Sequence, residues 1–229
     1  MNFLGIWALR GMGTRGARRG MDSIAINPHA TDSPRSGGSM QYQLRQYAES
    51  TLGKGSLKEA VIKPEGEDLN EWIACHIVDF YNHVNMLYMA VSHHCTDETC
   101  PKMSAGEKYT YLWKDNGQYR ESSQVPAQLY VKLLMQWVDA QLDDPRLFPV
   151  ELGQPFPHNF QSEVAPNIMK RMLRVYAHLY WHHYPQMRQV GLATMMNTSF
   201  NHFILFVTKY DLVKSEELQP VKDVIKNLA

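Results

Sequence analysis

Two cysteines and three histidines have the residue types and the spacing of a metal site. Cys95 and Cys100 are separated by four residues, and His178, His182 and His183 form a second group much later in the chain. Two thiolates and two imidazoles at short spacings match a closed Cys₂His₂ zinc site. The C-x₄-C spacing is looser than the common C-x₂-C, so two ordinary thiols and a few surface imidazoles fit the pattern about equally well.

Helix geometry leaves the choice of histidines open. His178 and His182 are one turn apart and point the same way on a regular helix. His178 and His183 differ by about 140° around the helix axis. The second pair can share a metal only if the last helical turn loosens near Pro185.

A metal with four protein ligands has a structural rather than a catalytic role, because no position stays open for water or substrate. Such an ion would tie the loop at 95–100 to a distant helix, and structural zinc contributes on the order of 10 kcal/mol to folding. The alternative, a zinc enzyme, requires an open coordination position and a general base, and the chain has no H-E-x-x-H or similar motif. We therefore predict a protein that is not an enzyme.

Apolar residues at steps of three and four predict the helices that position these side chains. The predicted helices span Asp68 to about Val91, 126–142, 166–183, 193–210 and a last helix from Ser215. We expect the helix at 193–210 to be central and buried nearly all round. Tyr109–Trp113 and the segment around Tyr119 flank Asn116-Gly117, which is typical of a type I′ turn and predicts a short β-hairpin. The predicted fold is a mostly α single helical bundle with a structural zinc and one hairpin.

Composition divides the 229 residues into two parts. Residues 1–40 are rich in Arg and then in Gly, Ser and Pro, so we expect a disordered or leader segment before a helical domain at 41–229. The 23 basic and 23 acidic residues balance, which gives no global attraction to nucleic acid. No apolar run is long enough to insert in a membrane. The odd count of three cysteines favours a reducing compartment, so we expect the cytoplasm and leave the nucleus open as a second location.

Several longer motifs, in matching order over roughly residues 41–229, resemble the Mob family of kinase co-activators. They are Pro64-Glu65-Gly66-Glu67-Asp68-Leu69-Asn70-Glu71-Trp72-Ile73-Ala74, Met103-Ser104-Ala105-Gly106, Leu142-Asp143-Asp144 with Leu147-Phe148-Pro149, Arg174-Val175-Tyr176-Ala177-His178, and Asn197-Thr198-Ser199-Phe200. The chain looks most similar to the founding branch, which activates NDR and LATS kinases. The resemblance implies one structural zinc ion held by Cys95, Cys100, His178 and His183, with His182 as the alternative to His183.

The resemblance also implies an acidic surface that binds the N-terminal regulatory region of an NDR/LATS-type kinase. The matching positions are Glu67, Glu71, Trp72, Asp79 and His202. The alternative is that acidic residues in a first helical turn only stabilise the helix dipole, an explanation that does not reach as far as Asp79.

A basic group on the helix at 166–183 is the second implied surface. Lys170, Arg171 and Arg174 match a family site for phosphothreonine in upstream Hippo-type kinases, and Arg grips phosphate with two parallel hydrogen bonds. The alternative is a solvated helix face. Thr51 matches a family phosphorylation site.

Together these features predict a non-catalytic adaptor that activates a serine/threonine kinase. A rival interpretation is a scaffold subunit of a phosphatase/kinase assembly, as in the phocein branch. That scaffold would bind partners without activating a kinase.

Overall fold

The computed structural model describes residues 56–151 and 153–228 of the chain. This part contains seven α-helices and one two-stranded sheet. The helices are α1 (Leu57–Ala60), α2 (Leu69–Val91), α3 (Ala127–Leu142), α4 (Ala165–His182), α5 (Tyr184–Gln189), α6 (Ala193–Lys209) and α7 (Lys222–Leu228). The predicted mostly helical fold is confirmed. None of these described helices combines the length and apolar character needed to cross a bilayer. The segment predicted to be a leader and Thr51 lie outside the described residues.

Helix α2 begins where the sequence predicts, because Asp68 caps it. The Asp68 Oδ1 atom accepts hydrogen bonds from the backbone N–H groups of Asn70 (2.8 Å) and Glu71 (3.1 Å). Its apolar residues recur at helical spacing and are fully buried against α4 and α6. They are Ile73, Ile77, Phe80, Val84 and Leu87.

Helix α6 lies in the centre of the aromatic core. The Phe203 ring contacts the rings of Phe80 (5.1 Å between centroids) and Tyr176 (5.2 Å). The buried hydroxyl groups of Tyr176 and Ser199 hydrogen-bond to each other at 2.7 Å, so neither is left without a partner. Exposed side chains occur only near the helix ends, at Thr194, Thr208 and Lys209. The prediction of a central, mostly buried helix is confirmed.

The β-hairpin exists, but it lies earlier in the chain than predicted. Strand β1 (Ser104–Ala105) pairs antiparallel with β2 (Tyr109–Thr110), and Ala105 is opposite Tyr109. Gly106 takes a left-handed φ of +69° in the short connection, a conformation that glycine adopts without steric cost. Tyr109 therefore pairs with residues before it and not with the segment around Tyr119.

The Asn116-Gly117 turn differs from the predicted type I′ turn because neither residue has the positive φ that this type requires. The side chain of Asp115 shapes the turn instead, since its Oδ1 accepts hydrogen bonds from the N–H groups of Gly117 (2.8 Å) and Tyr119 (3.0 Å). The N–H group of Asp115 also donates a hydrogen bond to the backbone oxygen of Tyr119 (2.8 Å), and beyond the turn an isolated bridge between Trp113 and Ser123 joins the two segments.

The prediction that the last helix begins at Ser215 is wrong. Residues 215–218 form turns, a 3₁₀ turn follows at Gln219–Val221, and α7 begins at Lys222. Pro220 explains the difference, because it has no N–H group and its ring clashes with the carbonyl of the preceding turn in an α-helix interior.

We expect Gly106→Ala to destabilise the fold more than Gly66→Ala does. Both glycines have positive φ, +69° and +85°, so each substitution costs about 1–2 kcal/mol in left-handed backbone strain. A Cβ atom at Gly106 would also lie 2.8 Å from the Trp181 ring, whereas nothing lies within 4 Å at Gly66. Overpacking should therefore add roughly 1–3 kcal/mol at Gly106 alone. Chemical unfolding measures the difference, and equal losses would contradict the contact with Trp181.

Candidate metal centre and binding faces

Four buried side chains from two distant parts of the chain converge on one point. Cys95 and Cys100 lie in the loop after α2, His178 lies in α4, and His183 follows directly after α4. Their ligand atoms all lie within 4.8 Å of one another. The Nε2 atom of His178 is 3.5 Å from Sγ of Cys95, and Nε2 of His183 is 3.5 Å from Sγ of Cys100. This buried Cys₂His₂ cluster can hold a metal ion.

The structure brings His183, and not His182, into the cluster. Helix α4 ends at His182, and His183 has φ −130° and ψ 8°, outside the helical range. This break loosens the last turn and directs the His183 side chain toward Cys100. It is the condition under which His178 and His183 can share a metal. The Nε2 atom of His182 lies instead 3.1 Å from the hydroxyl oxygen of Ser104. Helix-face spacing alone favoured the other pair because it assumed a regular final turn.

The protonation chemistry of the cluster fits a bound cation. The Nδ1–H group of His178 donates a hydrogen bond to the backbone oxygen of Ser104 (2.9 Å), which leaves Nε2 free to act as a ligand. Burial lowers the pKa of His178 to about 3 and that of His183 to about 4, so both imidazoles are neutral near pH 7. Burial raises the pKa of the Cys95 thiol to about 12. A cation would compensate for ionising this thiol, so metal binding would release protons.

The acidic residues surround the first half of α2. Glu67 and Glu71 are exposed, and Asp79 is half-buried. Burial raises the pKa of the nearby Cys75 thiol to about 11. The negative charges of all three carboxylates add to this shift, so all three lie close to Cys75. Burial also raises the pKa of Asp79 to about 6.

The two aromatic residues assigned to this acidic face are buried. Trp72 is 8% exposed and His202 is 7% exposed. The His202 ring packs edge-on against Phe80 (5.0 Å) and near His76 (5.5 Å), which places α6 directly behind α2. Burial, with smaller contributions from the neighbouring His76 and His83, lowers the pKa of His202 to about 4. His76 was not among the residues predicted from the sequence, although its spacing of four residues from Trp72 places both on one side of α2.

Aromatic rings hold Arg171 in place. Its guanidinium carbon lies 4.6 Å from the ring centroids of both Trp113 and Trp137, and its Nη2 atom donates a hydrogen bond to the backbone oxygen of Lys114 (3.0 Å). Burial lowers the pKa of Arg171, and the charge on Arg174 lowers it too. A nearby anion would offset this cost.

Arg174 is held in a similar way. Its Nη1 atom donates a hydrogen bond to the hydroxyl oxygen of Tyr130 (2.8 Å), and its guanidinium lies over the Tyr111 ring at 5.2 Å. Lys170 on the same helix is also half-buried. The alternative of a fully solvated helix face therefore does not describe this group.

Comparisons with a protein-family model and with individual known proteins show what this chain is similar to. A family model described as "Mob1/phocein family" matches residues 49–221. The chain is 48% identical over 191 residues to "MOB kinase activator-like 1 homolog A" of Dictyostelium discoideum, covering 83% of this chain and 89% of that protein. It is 46% identical to "MOB kinase activator-like 1A" of Arabidopsis thaliana, covering 83% and 88%. It is 44% identical to "Maintenance of ploidy protein mob1" of Schizosaccharomyces pombe, covering 83% and 90%.

We expect His183→Gln to lose the bound metal ion and His182→Gln to keep it. The physical reason is that only the His183 ring reaches the cluster, whereas His182 is one residue away on the same segment. Because structural metal contributes on the order of 10 kcal/mol to folding, His183→Gln should lower the free energy of unfolding by several kcal/mol. Elemental analysis of the purified chain and thermal unfolding measure both effects. The opposite pattern, with metal lost only from His182→Gln, would refute the ligand set.

Proposed function

The chain belongs to the Mob1/phocein family, and from this premise we propose that it is a non-catalytic co-activator of NDR/LATS-type serine/threonine kinases. The observation that supports the proposal best is the match over 83% of the chain to relatives whose names describe kinase activators. The two faces built on α2 and α4 have the charges that such a role requires.

The metal in this proposal is one zinc ion with a structural role. Two Cys thiolates and two His imidazoles form the donor set that structural zinc prefers, and four protein ligands leave no position for a substrate. The loop that carries Cys95 and Cys100 would thereby be fixed to α4. The β1 strand is fixed to the same helix through Ser104 and His178.

The proposed kinase site is the acidic face of Glu67, Glu71, Trp72, Asp79 and His202. A basic amphipathic segment from the kinase would be attracted by the carboxylates, with an affinity that falls as salt rises. Trp72 and His202 are only 8% and 7% exposed, so the three carboxylates would make most of the contact with the partner.

The proposed phosphothreonine site is the basic face of Lys170, Arg171 and Arg174. The aromatic and backbone contacts of the two arginines reduce their conformational freedom before any ligand binds. Less entropy is then lost on binding, which favours affinity. An upstream Hippo-type kinase, phosphorylated on threonine, would dock here while the NDR/LATS-type kinase occupies the acidic face. The two kinases would then be held close together, each at a high effective concentration for the other.

A scaffold role of the phocein type is the second candidate, because the matched family model covers both names. A scaffold would bind its partners without activating a kinase. Thr51 is a candidate regulatory phosphorylation site in a co-activator or in a scaffold, because a phosphate there would add nearly two negative charges. We also retain the cytoplasm as the expected location.

Asp79→Lys should abolish capture of an NDR/LATS-type kinase and its activation, because it places a cation where the basic segment binds. Asp139→Lys is a matched control, since Asp139 is exposed on α3, outside the acidic face. The raised pKa of about 6 means that the Asp79 carboxyl becomes neutral as pH falls through 6, so wild-type binding should weaken between about pH 7 and 5. Asp79→Asn should bind weakly with a flatter pH profile. Pull-down and kinase assays measure these effects, and full binding by Asp79→Lys would refute the placement of the site.

Arg174→Lys should reduce affinity for a phosphothreonine peptide roughly tenfold, because an ammonium group keeps the charge but loses the planar fork that bonds phosphate. Arg188→Lys, at an exposed position in α5, is the matched control. Fluorescence anisotropy with phosphorylated and unphosphorylated forms of one peptide measures the effect. Capture of the kinase on the acidic face should be unchanged in both variants. An unaltered affinity in Arg174→Lys would exclude this arginine from the site.

A further inference from the structure

An aromatic groove lies at the C-terminal end of α4, away from the acidic and basic faces. It has a volume of about 430 Å³ and is lined by Tyr180, Trp181 and Tyr184 on one side and by Pro220 and Asp223 on the other. None of its lining residues belongs to the cluster of metal ligands or to the two faces proposed above. A ligand in this groove would therefore add a third point of contact.

Trp181 is exposed but held rigidly. Its side chain is 55% exposed, although large apolar side chains are usually buried. Its Nε1–H group donates a hydrogen bond to the backbone oxygen of Pro220 (2.9 Å). A Cβ atom at Gly106 would lie 2.8, 2.9 and 3.2 Å from three atoms of its six-membered ring, so one face of that ring rests on the glycine. The ring is thus a fixed platform that keeps half of its surface available.

The two tyrosines form the neighbouring wall. The rings of Tyr180 and Tyr184 are stacked with centroids 5.8 Å apart, and the hydroxyl group of Tyr180 donates a hydrogen bond to Asn197 (2.8 Å). Both side chains are half-buried, so their positions are fixed by packing and by this bond. Aromatic ring faces carry a negative electrostatic potential that attracts cations.

Asp223 adds negative charge to the groove. It is the one charged residue among the described lining residues, and no cation lines the groove. Its carboxylate lies 3.7 Å from the ammonium of Lys226, in a pair whose side chains are 94% and 64% exposed. Exposed pairs of this kind are weak and can exchange for another cation. Three aromatic rings beside one carboxylate are complementary to a positive charge.

We propose that this groove binds the cationic side chain of a lysine or arginine from a partner peptide. The charged group would lie against the Trp181 and tyrosine rings, beside Asp223, and its methylene groups would contact Pro220. The proposal does not depend on the identity of the kinase or of the phosphorylated partner.

Binding can be tested on the full chain with short glycine-flanked peptides that differ at one central position. The central residue is lysine, trimethyl-lysine, norleucine or proline, and the readout is the ¹⁵N–¹H NMR signal of the Trp181 indole, assigned with Trp181→Phe. The lysine and trimethyl-lysine peptides should bind roughly 3- to 30-fold more tightly than norleucine, which has a similar chain without the charge. If norleucine or proline binds as tightly, or if the Trp181 signal does not shift, the proposal is wrong.

Two surface variants test the charge directly without disturbing the aromatic wall. Asp223→Asn should weaken binding of the lysine peptide and leave norleucine unchanged, whereas Lys226→Gln should strengthen binding of the lysine peptide by removing the competing ammonium. Met89→Ala, at another exposed apolar position, is the control for non-specific apolar contact. Thermal unfolding verifies that each variant is folded. Equal lysine affinity in Asp223→Asn and Lys226→Gln would refute the role of charge.

Discussion

The meeting of Cys95 and Cys100 with His178 and His183 is the constraint on which the other surfaces depend. Burial disfavours the ionised forms of thiols and imidazoles, and the pKa values of Cys95 and His178 move in the directions that burial dictates. A bound metal ion would stabilise the thiolates and add to the free energy of folding. The cluster joins the loop after α2 to the end of α4, so elements distant in sequence are fixed with respect to each other.

Helix α4 carries residues of the aromatic core, the metal-ligand cluster, the basic face and the aromatic groove. One side contributes Tyr176 to the aromatic core, and its last turns contribute His178 to the cluster and Trp181 to the aromatic groove. Arg171 and Arg174 project from the same helix into a shell of aromatic rings. A change in the position of this helix would therefore alter the metal ligands, the basic face and the groove together. A metal ion held by the cluster would therefore influence faces of the molecule that it does not touch.

The amphipathic helices were predictable because their signal is local. Residues three and four apart on α2 and α6 face the same side whatever the rest of the chain does, so the buried stripe could be recognised from the sequence alone. The hairpin and the last helix were less predictable. Turn propensity placed a hairpin at Asn116-Gly117, but the side chain of Asp115 and the conformation of Gly106 decided where strands pair. The last helix begins later than predicted because Pro220 cannot lie in the interior of a regular α-helix.

The sequence by itself determined the types of metal-ligating side chain, the mostly helical fold class and the residues that bear opposite charges. These features follow from composition and short-range periodicity. The tertiary structure alone decided that His183 rather than His182 faces the thiols, since that choice depends on how α4 ends against the loop. It also decided that Trp72 and His202 are buried and that aromatic rings enclose Arg171. Each of these outcomes requires contact between segments far apart in the chain, and spacing along one segment contains no information about such contacts.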